Sequence, residues 1–181
     1  MTSSTSPNGT VLETARLRLR PFTTSESDVE AWLELHSDPR VTQFVGTYTR
    51  ESAVARLRLI ERQWAERGHG LFAVESLEDG RFLGRSGLQY WEPWDEVEAA
   101  WTYRFEAQGH GYATEAASAI LEWGWRTLDV PFIISMIHPD NSASARVAKR
   151  LGFTVRNREE RGGHDTDIYH LERPAAQAQE S

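Results

Sequence analysis

The stretch FIISMI, residues 132–137, is a continuous apolar run. A strand with this pattern is buried on both faces, so the sheet that contains it needs cover above and below. The cover is legible on either side of it in the chain. A helix is expected from about 111 to 128, with Ala113, Ala117, Ile120, Leu121, Gly124 and Leu128 as its inner stripe. A shorter one follows over 141–151 and stops at Gly152, a natural glycine just past a helix end.

The first half of the chain supplies the rest of the sheet. LETARLRLRPF alternates Leu17 and Leu19 with Arg16, Arg18 and Arg20, the period of a half-buried strand. Thr23 with Glu26 makes a capping box for a helix whose apolar face carries Val29, Trp32, Leu33 and His36. A loop with Pro39 leads to a second helix near 51–66, striped by Ala53, Val54, Leu57, Ile60 and Trp64. LFAVES and RFLGRSGLQYW, joined at EDG, read as a hairpin, and YWEPWDE as a longer connection into a strand over 96–105. Along that strand Val97, Ala99, Trp101, Tyr103 and Phe105 share one parity; Glu98, Ala100, Thr102 and Arg104 take the other. FTVRNREER and DTDIYHLER close the chain as two strands. The expectation is one α+β domain over 11–173, with a mixed central sheet of about seven strands and about four helices. Residues 1–10 and 174–181 are expected to be a disordered leader and tail.

Several functions are excluded or disfavoured by composition. The 181 residues include no Cys, so thiolate metal sites and a cysteine nucleophile are ruled out. A formal net charge of −7 makes nucleic acid a poor partner. No run approaches the roughly 20 apolar residues of a membrane span, and MTSSTSPNGT lacks the regions of a signal peptide, leaving the cytoplasm as the default.

Chemistry concentrates in two segments. QGHGYATEA, 108–116, sets two glycines in front of a helix, where free N–H groups and the helix dipole favour an anion. A plain tight turn explains the glycines equally well. A dinucleotide fold does not, because the next glycine expected after Gly109 and Gly111 is Thr114, and no Gly-Lys-Ser/Thr ending marks a Walker loop. In HPDNSASARVAKRLGF, 138–153, Asn141 is a favoured N-cap. Ser144 then shares the inward helix face with Val147, Ala148 and Leu151, either supporting the cap or aiming its hydroxyl into a cleft.

Together these segments resemble the GNAT N-acetyltransferase superfamily. Q-x-x-G-x-A at Gln108, Gly111 and Ala113 is similar to its acetyl-coenzyme A signature. N-x-x-S…LGF from Asn141 to Phe153 is similar to the motif that follows in the RimJ/RimL-like branch, the ribosomal-protein N-terminal acetyltransferases and their relatives. The resemblance implies acetyl-CoA as co-substrate and transfer to a primary amine, a protein N-terminus or a small molecule, with no metal. The competing implication is a non-catalytic acyl-CoA-binding or sensing module. By the same resemblance, backbone groups of Gly109, His110, Gly111, Tyr112, Ala113 and Thr114 hold the pyrophosphate beside Gln108. Tyr103, Arg104 and Phe105 would pair with the pantetheine arm, and Asn141 and Ser144 would touch it. Many relatives outside the branch carry Tyr where Ser144 stands.

With no cysteine to carry an acyl group, direct attack of the amine in a ternary complex is the simpler scheme. Glu98 is the candidate base; a solvated glutamate on a polar strand face is the competing role. Ser144 is the candidate acid or thiolate donor, against a packing role. Arg146 and Arg150, four residues apart, could meet the adenosine phosphate or form a solvated helix face. His138, His164 and His170 lack zinc spacing, and Asp165 and Asp167 beside His164 fit a turn better than a metal site. The acceptor pocket falls to Phe44, Tyr48, Trp91 and Trp94, with Glu92, Asp95, Glu96 and Glu98 nearby. Aromatics and carboxylates suit a cationic amine, and core packing or a homodimer face is the other use for the tryptophans.

Overall fold

A computed structural model describes residues 4–6 and 9–175. Among these, nine strands form one mixed sheet in the order β1-β2-β3-β4-β5-β6-β7-β9-β8. In chain order the strands are β1 (Ser4–Ser6), β2 (Gly9–Glu13), β3 (Leu17–Pro21), β4 (Leu71–Ser76), β5 (Phe82–Trp91), β6 (Glu96–Tyr103), β7 (Phe132–Ile137), β8 (Thr154–Arg161) and β9 (His164–Glu172). The helices are α1 (Glu26–Leu35), α2 (Pro39–Thr42), α3 (Arg50–Arg67), α4 (Tyr112–Thr127) and α5 (Ser142–Arg150).

The count exceeds the expected seven strands and four helices for local reasons. LETARLRLRPF is two antiparallel strands, because Thr14 turns the chain by bonding Leu17 O at 2.9 Å through its backbone N–H. Within the expected leader, residues 4–6 and 9–10 lie in β1 and β2. Residues 1–3, 7–8 and 176–181, the rest of the leader and most of the tail, lie outside the described residues. The Pro39 loop carries a turn of helix capped by Asp38. The first long helix starts two residues later than Thr23 suggests: Ser25 is its N-cap and accepts from Asp28 N, while Thr23 bonds the Asp28 carboxylate.

The two faces of the sheet are covered by different helices. α4 lies on one, where Leu17, Leu19, Phe72, Leu88, Ile120 and Trp123 belong to one core cluster. Gly124 lets α4 settle close on β5, since a Cβ there would stand 2.4 Å from the Leu88 Cδ1. α1 and α3 cover the other face over Phe22, Trp32, Leu57, Ile60 and Ala73. Each of these burials contributes in proportion to apolar area withdrawn from water.

At one joint the sheet does not close. β6 and β7 run parallel and meet at a single register pair, Glu98↔Ile134. β7 instead pairs along its whole length with β9, from Phe132↔Glu172 to Ile137↔Asp167. Beyond Glu98, the edge of β6 that faces β7 has no strand beside it. β8 ends the sheet on this side, paired only with β9.

Candidate active site

The opening between β6 and β7 is a cleft of about 380 Å³. Trp101, Thr102 and Tyr103 at the end of β6 form one wall, and Asn141, Ser144 and Val147 of the α5 segment the other. The 108–114 loop closes one end, and Val41, Phe44 and Val45 after α2 cover another side.

The loop leaves its backbone amides bare. Gly109 and Gly111 have φ of 80° and 81°, the left-handed region that side chains with a Cβ rarely adopt. Gly111 is the N-cap of α4 and offers no side-chain cap. Among the described residues, the backbone N–H groups from Gly109 to Thr114 donate to no protein acceptor. Bare donors at the positive end of a 16-residue helix are what a phosphate requires. Arg146 and Arg150 stand exposed along the same cleft, without a carboxylate partner among the described residues. The Gln108 amide is used differently from a ligand contact: Nε2 donates to Tyr103 O at 3.1 Å and ties the loop to β6.

On the opposite wall, Asn141 Oδ1 accepts from Ser144 N at 3.1 Å and fixes the start of α5. The Ser144 hydroxyl has no protein partner among the described residues and lines the cleft. The far end of α5 closes as a Schellman motif. Phe153 N–H donates to Ala148 O and Gly152 N–H to Lys149 O, with Gly152 at φ 93°. This turn buries Phe153 to 2% exposure, edge-on to Trp101 at 6.5 Å.

The structure therefore gathers Tyr103, Gln108, Gly109, Gly111, Tyr112, Ala113, Thr114, Asn141, Ser144 and Phe44 around one cleft. Others fall elsewhere. β6 ends at Tyr103, where Arg104 N–H bonds Leu83 O. The Arg104 side chain reaches Glu34, and Phe105 is exposed beneath the Arg40 guanidinium at 3.8 Å. Neither lines the cleft, nor does the His110 ring, whose Nε2 lies 3.2 Å from Glu106 O. Trp91 and Trp94 pack on each other away from it, with Arg161 over Trp94. Tyr48 sits edge-on to Trp32 and His36 between the sheet and α1. Val41, Val45, Trp101 and Thr102 line the cleft without having been expected there; the parity of β6 alone cannot say which strand edge stays open. Among the described residues no three His, Asp or Glu converge as for a metal, His164, Asp165 and Asp167 included.

Of the two roles expected for Glu98, the solvated one does not hold. The side chain is 5% exposed, beneath the helices on the α1/α3 face. Its Oε2 accepts from Gln89 Nε2 at 2.8 Å and Trp91 Nε1 at 2.6 Å. Its Oε1 accepts from Met136 N at 3.3 Å, reaching across to β7 where the two strands part. Burial raises its pKa above the usual carboxylate value, and the three donors oppose that rise only in part.

A parallel pair splayed at one residue, with bare helix-start amides at one end of the opening, is the arrangement on which a family assignment can be tested. The chain belongs to the GNAT acetyltransferase family, whose domain model, "Acetyltransferase (GNAT) domain", matches residues 16–154. The uncharacterized N-acetyltransferase YnaD of Bacillus subtilis (strain 168) is 31% identical over 144 residues, covering 78% of this chain and 81% of YnaD. The crystal structure of an acetyltransferase from Agrobacterium tumefaciens str. C58 is similar at a TM-score of 0.79 and 31% identity, over 90% of this chain and 94% of that one. RimL, a ribosomal L7/L12 alpha-N-protein acetyltransferase solved with coenzyme A, shares the fold at a TM-score of 0.74 and 19% identity, over 90% and 97% of the two chains. No helix among the described residues is long and apolar enough to cross a membrane.

Proposed function

We propose that this protein transfers the acetyl group of acetyl-CoA to a primary amine, on a protein N-terminus or a small molecule, by direct attack. One observation carries the reading: the unpaired amides from Gly109 to Thr114 lie at the end of the β6 edge that no strand covers. Such a loop fits a pyrophosphate, and an open strand edge fits the amide groups of a pantetheine arm. Acetyl-CoA supplies an activated thioester, so the overall change forms a C–N bond, breaks a C–S bond and moves one proton from nitrogen to sulfur.

The chain's own groups then have definite tasks. Gly109–Thr114 amides hold the diphosphate, and Arg146 and Arg150 add positive charge beside it. Tyr103 and Trp101 backbone on β6 orients the acyl end. Asn141 holds α5 so that the Ser144 hydroxyl faces the cleft, placed to protonate the departing sulfur. Glu98 receives the amine proton through water, from the α1/α3 side of the splay. Its raised pKa makes it a stronger base than an exposed glutamate once ionised.

The test is a pH–rate profile with the best acceptor from a mass-detected amine screen. Glu98→Gln should lower kcat about 10- to 10³-fold near neutral pH, with the deficit shrinking as pH rises and the amine deprotonates unaided. Because three donors point at Glu98, the amide is an imperfect mimic. Trp91→Phe is the cleaner probe: losing one donor to the charged form should move the acidic limb to higher pH. A limb that stays in place in Trp91→Phe, together with full activity in Glu98→Gln, would remove Glu98 from the proton path. Coenzyme A binding without turnover across the amine panel would leave a binding module instead.

A further inference from the structure

The α1/α3 face of the sheet holds a cation that no carboxylate among the described residues pairs with. Arg85, on β5, stands directly opposite Thr102 of the cleft wall. It is partly buried, and its Nε is shut off from solvent with no hydrogen-bond partner. Among the described residues its guanidinium makes no hydrogen bond and no ion pair. The other arginines that are not fully exposed differ in this respect. Arg20, Arg104 and Arg161 meet carboxylates, Arg56 meets Gln89, and Arg173 meets three backbone carbonyls.

What surrounds Arg85 holds it in place without satisfying it. The guanidinium lies over the Trp32 ring, 5.3 Å from its centroid. Trp32 is stacked on His36, which meets Tyr48 edge-on at 4.8 Å. Burial, with the charges of Arg85 and Arg56 adding to it, holds the His36 pKa down to about 4, so the imidazole is neutral near pH 7. Arg56 is a second guanidinium in the cluster; its Nη2 donates to Gln89 Oε1 at 2.6 Å and it has no carboxylate partner among the described residues. Among the described residues, the only carboxylate that acts on Arg85 is Glu98, already committed to Gln89, Trp91 and Met136. Registers place Arg85↔Thr102, Gly87↔Ala100 and Gln89↔Glu98 along one face. A positive and a negative group thus flank two residues with almost no side chain.

A desolvated guanidinium with free donors is costly to keep, and its planar fork matches a carboxylate bidentately. We infer that Arg85, with Arg56 beside it, anchors a carboxylate on the acceptor, so that the preferred substrate is a small amine that also bears a carboxylate. This rests on the acetyl-transfer reading above and names the substrate class for it. Glu98 nearby favours a single negative charge over a doubly charged phosphate.

The experiment compares α- and ω-amino acids with their carboxamides of equal length, using the full chain and acetyl-CoA. The acids should be preferred in kcat/KM by about 10- to 100-fold, the range of a charge-assisted hydrogen-bonded pair. Arg85→Met should collapse that ratio toward one, and Arg85→Lys should keep part of it. Calorimetry of the same acids on each variant in the presence of coenzyme A reads binding without turnover, and circular dichroism checks folding. A wild-type ratio near one, or a ratio and affinity unchanged in Arg85→Met, overturns the anchor while leaving acetyl transfer intact. Turnover absent for every amine, with acid binding lost in Arg85→Met, overturns the transfer reading and keeps the anchor. Should Arg85→Met not fold, the wild-type ratio and Arg85→Lys still decide.

Discussion

The two faces of the sheet bury side chains of opposite character. Under α4 the contacts are almost wholly apolar, from Leu17 and Phe72 to Ile120 and Trp123. Under α1 and α3 an apolar cluster shares its cover with Arg85, Glu98, Gln89 and His36, three of them at 8% exposure or less. Stability is cheap to obtain from the first arrangement; the second has to satisfy each polar group or leave it for a ligand. The difference leaves one face fully packed and the other with polar groups that its own neighbours do not all satisfy.

The comparison breaks most visibly where the apolar side is cut. Phe153→Ala should cost about 3–5 kcal/mol, because it empties a fully buried ring site behind Trp101 and beneath the end of α5. A denaturant midpoint near wild type would show that α5 is not seated by its C-terminal turn. Leu151 is only half-buried, so Leu151→Ala belongs at the small end of the series, about 1 kcal/mol.

The polar face should instead fail with acid. The folded-state pKa of His36 lies near 4, below the 6.5 of an unfolded chain. The unfolded state therefore takes up the proton first. Stability is complete above pH 6.5 and is lost as pH falls toward 4, by on the order of 2–3 kcal/mol at pH 4.5. His36→Gln should flatten that dependence by the same amount in denaturant melts at pH 7 and 4.5. His69, also buried and depressed, leaves a residual slope in both proteins. An unchanged slope would mean that His36 is accessible to protons in the folded state.

A smaller effect separates the cradle from backbone strain. Gly111→Val should weaken coenzyme A about 10-fold or more in calorimetry, since a branched side chain at φ 81° both strains the turn and shields the amides. Gly80 has φ 71° and open space around it, far from the cleft, so Gly80→Val reports the strain alone. Equal affinities in the two variants would take the loop out of the site.

What could be read from the chain follows the same division. The cradle is local: two glycines, a helix start and a Gln lie within a few residues, and their backbone demands are visible in order. The Asn141 cap and the Ser144 orientation are equally short-range. Strand parity correctly put Glu98 on the face opposite Val97 and Ala99, but parity cannot say what covers a face. That cover comes from α1 and α3, roughly 30 to 70 residues earlier in the chain. The strand expected to run to Phe105 stops at Tyr103 for a similar reason. Alternation continues in the residue types to Phe105, where the backbone has already entered a 3-10 turn over Phe105–Ala107. Arg85 carried no signal, because an unpaired arginine looks like any solvated one until its neighbours are known.

The position of β8 at the end of the sheet has a consequence for self-association. A terminal strand offers an unpaired row of backbone groups to any other chain. Here that row is flanked by Arg156, Arg158, Glu159, Glu160 and Arg161, much of it already tied into ion pairs with Glu96 and Asp167. A second molecule docking edge to edge would have to dismantle those pairs and crowd its own matching charges against them. The margin thus carries charge where an unpaired strand edge would otherwise invite sheet extension and fibre growth.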